Sequence, residues 1–279
     1  MTTPRSILIT GCSSGIGLDA ARTMAKRGWR VIATARKPAD LAMLETGGLE
    51  ALALDYADEG SVAACATAVL ERLSGAPDAV FHNGAYGQAG ALEDITRDLM
   101  RQQFEANFLG WHDLTRRLLP AMRARGSGRI VLNSSVLGFA ALGFRGPYNA
   151  SKFALEGWAE TLRIELFSSG LKVVVIEPGP ITSKFRQNAK ARFFATIDPE
   201  RSAYRDTYRR QIARLESDGK GRFELPASAV TEKLVLACES ANPAPVYRVT
   251  TPTHIMAFAR RLLPSRAFTR FQRSVSERE

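Results

Sequence analysis

The residues of this sequence best suited to chemistry are Tyr148 and Lys152, in the stretch Tyr148-Asn149-Ala150-Ser151-Lys152 at the start of a strong helical pattern. Two positions four apart on a helix lie one turn from each other on the same face. A free phenol titrates near pH 10, too high for an efficient proton relay at neutrality, and a neighbouring ammonium lowers that value by favouring the phenolate. Such a pair can pass a proton to an oxygen or take one from it. Taken alone, it reads more simply as a packed tyrosine beside a solvated lysine. A second hydroxyl, Ser135, lies thirteen residues before Tyr148, where the apolar run Ile130-Val131-Leu132 gives way to Asn133-Ser134-Ser135-Val136-Leu137-Gly138.

Earlier in the chain, Ile7-Leu8-Ile9 runs into Thr10-Gly11-Cys12-Ser13-Ser14-Gly15-Ile16-Gly17 and then a helical pattern. Glycines at 11, 15 and 17 permit a tight turn and the close approach of a pyrophosphate to a helix N-terminus. The spacing is GxxxGxG, and a glycine cluster after a strand is also an ordinary turn. The end of the second strand bears on the nucleotide, because a carboxylate about 20 residues beyond the glycines binds a free ribose 2′-hydroxyl, whereas arginine pairs with a 2′-phosphate. Here the chain reads Ala33-Thr34-Ala35-Arg36-Lys37, with two cations and no acid. NADP(H) is therefore expected over NAD(H). Asp55 could accept from an adenine amino group or cap the helix that follows. Asn83, in His82-Asn83-Gly84-Ala85-Tyr86-Gly87, is read as fixing backbone at the carboxyl edge of the sheet, and His82 as a packed residue.

Positioning these groups requires a regular scaffold. Apolar runs at 7–9, 31–33, 52–54, 79–81, 130–132, 173–176 and 246–249 read as strands buried on both faces. Between them lie helical patterns such as Ile16, Ala20 and Met24, or Leu155, Trp158, Ala159, Leu162 and Leu166. Alternating strands and helices imply a parallel sheet covered on both sides. The alternation breaks after Pro178-Gly179-Pro180, and the stretch from about 180 to 225 is taken as a substrate lid.

At 279 residues, 45% hydrophobic and 24% charged, the chain is expected to form one globular domain rather than a disordered segment. The N-terminus lacks an export signal, and no apolar run approaches a membrane span. Three scattered cysteines, Cys12, Cys65 and Cys238, show no metal-ligand spacing and read as packing residues in a reducing cytoplasm. No metal is expected. The formal charge of +10 is read as a solvated basic surface with some cofactor-phosphate contacts, without a nucleic-acid recognition motif.

Over roughly residues 5 to 185, the sequence resembles the short-chain dehydrogenase/reductase family. The resemblance rests on TGxxxGIG at Thr10 to Gly17, the turn at Asn83, Asn107, Ser135, and YxxxK at Tyr148 and Lys152. The glycine segment and Tyr148 to Gly157 look most like the 17β-hydroxysteroid and retinol dehydrogenase branch. The resemblance implies a single Rossmann-type domain over 1–279, a doubly wound parallel α/β sheet of about seven strands with a helical lid; the residues themselves add a C-terminal amphipathic extension over about 252–279. The resemblance further implies hydride transfer between the nicotinamide and a carbonyl/alcohol pair. Ser135 would hold the substrate oxygen and Tyr148 would give or take its proton. Lys152 would bind the nicotinamide ribose and lower the tyrosine pKa, and Asn107 would keep a water-linked proton path to Lys152. Gly11, Ser13, Ser14, Gly15, Ile16, Gly17, Arg36, Asp55 and Asn83 would hold the cofactor with Tyr148 and Lys152. So would Pro178, Gly179 and Ile181, with Thr182 or Ser183 at the family's threonine position. Ser14 and Arg36 match positions that bind the 2′-phosphate in NADP-preferring relatives. His82 and Gly84-Ala85 depart from the family's NNAG turn.

The substrate class is less sharply drawn. Phe139, Leu142, Phe144, Phe185, Phe193 and Phe194 would either line an apolar pocket for a lipid-like or aromatic ketone or alcohol, or form a core of the lid itself. The basic, amphipathic tail from His254 to Arg273 would pack against protein or lie on a membrane. The resemblance implies a homodimer or homotetramer through helices around 98–125 and 149–168. A dinucleotide-binding regulator without turnover is the alternative, although it would be expected to lack the tyrosine or the lysine.

Overall fold

The computed structural model describes residues 4–216 and 223–277. Seven parallel strands form one sheet: β1 (Ser6–Ile9), β2 (Arg30–Ala35), β3 (Glu50–Ala53), β4 (Ala79–His82), β5 (Gly128–Asn133), β6 (Leu171–Glu177) and β7 (Val246–Arg248). All seven expected runs are strands. Their order is β3-β2-β1-β4-β5-β6-β7, so the winding reverses between β1 and β4. At such a reversal the loops leaving neighbouring strands diverge, opening a crevice at the carboxyl edge.

Side-chain alternation explains why the central strands are apolar throughout. Ile7, Ile9, Val31, Ala33, Phe81, Val131, Val174 and Ile176 face one layer, together with Ala20 and Met24 of α1 (Gly15–Lys26) and Val230 and Leu234 of α9 (Ser228–Glu239). Leu8, Ile32, Val80, Ile130, Leu132, Val173 and Val175 face the other. That layer holds Val62 and Val69 of α3 (Glu59–Leu73), Leu114 and Leu118 of α5 (Gly110–Arg125), and Leu155, Ala159 and Leu162 of α6 (Gly146–Glu165). Each strand residue thus meets a helix whichever way it points. The three cysteines are buried, and burial pushes each thiol up to about 12, consistent with a packing role.

Helix α2 (Pro38–Thr46) covers the β2–β3 edge, and α4 (Arg97–Phe104) leads into α5 through a π-helical turn at Glu105–Leu109. The helical stretch expected around 98–125 thus contains a π-helical turn. The excursion after β6 contains α7 (Phe185–Thr196) and α8 (Arg205–Glu216); its residues 217–222 lie outside the described residues. It leaves and returns at one point, where Thr182 N donates to Leu225 O (2.9 Å) and Leu225 N to Pro180 O (3.2 Å). Phe193 and Ile197 pack with Tyr208, Ala91 and Leu99 in a small separate core, against which Phe144 also lies.

After β7 come α10 (Thr251–Leu262) and α11 (Ser265–Ser276). Phe268, Phe271 and Val275 pack onto Leu137, Leu142 and Tyr148. The apolar face of α11 is thus occupied by protein, as the packing alternative requires, while Ile255 and Phe258 of α10 remain exposed.

Candidate active site

The glycine loop is built by close approach. Gly11 and Gly15 have φ of +70° and +56°, in the left-handed region that side chains with a Cβ avoid. A Cβ on Gly17 would lie 2.2 Å from Gly11 O, so the loop closes only on a bare α-carbon. Asn83 ties three strand ends together: its Nδ2 donates to Thr10 O (3.0 Å) and its Oδ1 accepts from Asn133 Nδ2 (2.8 Å). This is the backbone-fixing role expected of it. Despite the departures at 82 and 84, the turn forms: Trp111 Nε1 donates to Gly84 O at 3.0 Å, and a Cβ on Gly11 would lie 2.6 Å from Gly84 Cα.

Ser14 stands at the N-cap of α1 without using its hydroxyl as a cap, and the first turn of that helix carries no acid. The amides there, the Ser14 hydroxyl and the adjacent exposed Ser13 are suited to an anion. Across the loop, a Cβ on Gly15 would lie 3.1 Å from Ser183 Cβ. The Pro178–Ser183 stretch therefore faces the glycine loop. Ser183 is the hydroxyl nearest it, while Thr182 is exposed and Ile181 pairs with Leu225. Gly179 is needed because a Cβ would lie 2.2 Å from Thr250 Oγ1. These residues fit a dinucleotide.

At the end of β2, Arg36 is 66% exposed and 3.8 Å from Asp55, which closes its own turn by accepting from Ala57 N (3.1 Å). The capping alternative for Asp55 falls instead on Asp58, which accepts from Gly60 N and Ser61 N at the start of α3.

Ser135 follows β5 at the start of a single 3-10 turn, its Oγ accepting from Leu137 N (3.1 Å). Tyr148 lies in the first turn of α6, near enough to Ser135 for that hydroxyl to act on its phenol, and is half-buried. Phe185 of α7 meets its ring edge-on at 5.3 Å. Burial pushes the Tyr148 phenol up to about 12, against the opposing pull of the Ser135 hydroxyl and the Arg145 charge. Lys152, one turn on, is fully buried and donates to Asn133 O (2.7 Å). Its Nζ stands 5.7 Å from the centroid of the Tyr148 ring. Burial pulls the ammonium down to about 7, and the charge of Glu156 opposes that fall. Tyrosine, lysine and serine therefore converge, with the lysine buried rather than solvated.

Asn107 lies in the π-helical turn, a distortion that recurs at functional sites. Its side chain is spent on the backbone of Tyr86, donating to the carbonyl (2.8 Å) and accepting from the N–H (3.1 Å). It reaches Ser151 at 3.5 Å and bonds to that neighbour of Lys152 rather than to the ammonium. His82 is buried, sharing hydrogen bonds with Tyr56 (2.7 Å) and Thr115 (2.9 Å), and burial pulls it down to about 3. It is a neutral packing residue, as expected.

Two neighbours of Lys152 escaped the sequence reading. Trp111 lies beneath the ammonium and Glu156 one turn beyond it. Helical spacing could have found both, since Trp111 is four residues from Asn107 and Glu156 four from Lys152. The six candidate pocket residues separate. Phe185 touches Tyr148; Phe139 and Leu142 join the α11 cluster; Phe144 and Phe193 join the core of the excursion; Phe194 is 48% exposed.

A parallel sheet with a glycine cradle at its winding reversal and a Ser/Tyr/Lys centre beside it defines a dinucleotide-dependent oxidoreductase. Comparison with known proteins agrees. The family model described as short chain dehydrogenase matches residues 5–192. The uncharacterized oxidoreductase YbbO of Escherichia coli K12 is 40% identical over 263 residues, covering 94% of this chain and 91% of that one. Retinol dehydrogenase 8 of Homo sapiens is 38% identical over 220 residues, 74% of this chain and 70% of that protein. An actinorhodin polyketide ketoreductase solved with NADPH superposes with a TM-score of 0.72 at 28% identity, over 89% of this chain and 97% of that one. The chain belongs to the short-chain dehydrogenase/reductase family and has its NAD(P)-binding fold.

Proposed function

We propose that this oxidoreductase uses NADP(H) to interconvert an apolar ketone and its secondary alcohol, of steroid-, retinoid- or lipid-like character. The observation that carries the reading is the convergence of three groups: the Ser135 hydroxyl, which opposes the burial-driven rise of the Tyr148 phenol, and Lys152, buried one turn further along α6 with its Nζ 5.7 Å from the Tyr148 ring centroid. In the reductive direction, Ser135 orients the substrate oxygen and Tyr148 donates a proton to it. The bound nicotinamide supplies the hydride to carbon. When protonated, Lys152, with its Nζ 5.7 Å from the Tyr148 ring centroid, stabilises the phenolate left behind. Asn107 positions the 84–88 backbone and the Ser151 side of α6.

Arg36 and Ser14 support NADP(H), the exposed guanidinium being available to a 2′-phosphate. Phe185 and the α11 cluster, packed around Tyr148, favour an apolar substrate, in keeping with the likeness to a retinol dehydrogenase. The excursion over about 180–225, with its own small core, serves as the lid of a single domain. A homodimer or homotetramer through α5 and α6 is favoured by a groove of about 620 Å³ between them, lined by His112, Leu119, Trp158 and Leu162. Ile164 and Phe167 near it are 76% and 87% exposed. Among the described residues no helix is long and apolar enough to cross a membrane, and we place the protein in the cytoplasm.

The test is NADPH oxidation with a panel of ketones, aldehydes and quinones, in the wild type and Tyr148→Phe. The variant should lose turnover by ~100-fold or more while still binding NADPH. A variant retaining most of its activity overturns the mechanism. Tight binding with no turnover on any carbonyl would instead make the chain a nucleotide-binding regulator.

A further inference from the structure

The helix that carries Tyr148 and Lys152 presents a third polar side chain one turn further on. Glu156 accepts a hydrogen bond from Ser134 Oγ, and Ser134 immediately precedes Ser135. The backbone of Ser134 is itself fixed, donating to Ile176 O on β6 at 2.8 Å. Gly138 makes the room: a Cβ there would stand 2.8 Å from both Glu156 Oε1 and Ser134 Oγ. One carboxylate thus joins the loop bearing Ser135 to the helix bearing the tyrosine and the lysine.

On its other side, Glu156 borders a cleft of about 420 Å³ between α6, α10 and the ends of β6 and β7. The charged groups facing it are Glu177 from β6, Arg248 from β7, Arg260 from α10, and Lys152 and Glu160 from its own helix. Glu177 takes Arg248 in an ion pair at 2.9 Å. Arg260 donates to Phe139 O and lies over the Phe153 ring. Burial, with Glu177 nearby, pushes the Glu156 carboxyl up to about 7, against the pull of the Ser134 hydroxyl. Lys152 is drawn towards the same value from above.

We propose that Glu156 is a positioning residue for the reaction: ionised, it clamps the Ser134–Ser135 loop to α6 and sets a negative charge one turn from the Lys152 ammonium, with the cleft as its opening to solvent. This rests on the assignment of Ser135, Tyr148 and Lys152 as the reacting centre.

Glu156→Gln keeps an acceptor for Ser134 and removes the charge; Glu156→Asp restores the charge on a shorter arm. Three measurements are made between pH 5.5 and 9: melting temperature of the unliganded protein, NADPH affinity by fluorescence titration, and kcat/KM for a reducible ketone. Relative to Glu156→Gln, which shares every other titrating group, the wild type should lose melting temperature as pH rises from 5.5 to 7. NADPH affinity should match the wild type at pH 6 and weaken threefold or more at pH 8, as Lys152 loses its proton earlier. The alkaline limb of kcat/KM should move at least half a pH unit towards acid, with partial return in Glu156→Asp. Ser134→Ala, which keeps the charge but removes its hydrogen bond, should instead move the acid limb upward. Superimposable pH profiles, or an equal loss at every pH with a lower melting temperature, would overturn the proposal. Should the wild type bind NADPH but turn over no carbonyl, the catalytic reading fails alone, because the stability and binding series still decide the link between Glu156 and Lys152.

Discussion

The Nζ of Lys152 stands 4.5 Å from the centroid of the Trp111 ring. The indole is fully buried, and its own N–H holds the carbonyl of Gly84 at 3.0 Å. A cation over an aromatic face gains from the ring's negative potential, more so when both are dry. Trp111 therefore offsets part of the cost of burying the ammonium, and it ties the turn after β4 to the same point.

Trp111→Leu should lose roughly 2–4 kcal/mol of stability, as large-to-small core replacements do. Trp111→Phe keeps an aromatic face and loses the bond to Gly84, and it should cost less. Urea unfolding of the two variants checks the order; equal losses would remove the aromatic contribution.

His82 makes acid the weak side of this fold. Its folded value of about 3 lies below the ordinary 6.5, so the unfolded chain binds the extra proton between those limits. Stability should accordingly fall as pH drops from 6.5 to 3, by up to about 4 kcal/mol at ~1.4 kcal/mol per pKa unit. His82→Asn should flatten that slope while costing about 1–2 kcal/mol at neutrality for disturbed bonds to Tyr56 and Thr115. Chemical denaturation across the pH range reads both.

Arg36→Ala should lower kcat/KM for NADPH by about 10- to 100-fold, the worth of a charge-assisted phosphate contact, with little change for NADH. Because Arg36 is 66% exposed, its melting temperature should stay near that of the wild type. A parallel loss with both nucleotides would move the phosphate contact elsewhere.

Phe271→Ala should destabilise by about 1–3 kcal/mol and raise KM for apolar ketones more than it lowers kcat, since Phe271 packs in the cluster that holds Leu142 and Tyr148. Steady-state kinetics with a small and a bulky ketone separate the two effects.

Most of the scaffold was legible because a doubly covered sheet leaves an unambiguous mark. Ile7-Leu8-Ile9 and Ile130-Val131-Leu132 can be apolar at every position only where helices lie on both faces. The candidate centre was legible because Tyr148 and Lys152 obey helical spacing. Other features left no such trace. A π-helical turn at Glu105–Leu109 differs from α-helix by its hydrogen-bond register, which residue type hardly records. Helices α7 and α8 carry six arginines between them, and their buried positions, such as Phe193 and Tyr208, are too sparse for a clear stripe. Glu156 reads as a surface acid until Gly138 and Ser134, far from it in sequence, are folded against it.

The loop between Ser135 and Tyr148 is held from outside by α11: Gln272 donates to Ala141 O (3.0 Å) and Ser276 Oγ accepts from Gly143 N (2.9 Å). These partners are 131 and 133 residues apart. Contacts of such long sequence separation carry a large loop-closure cost, so the wall beside Tyr148 is among the later parts of the candidate site to be fixed as the chain folds.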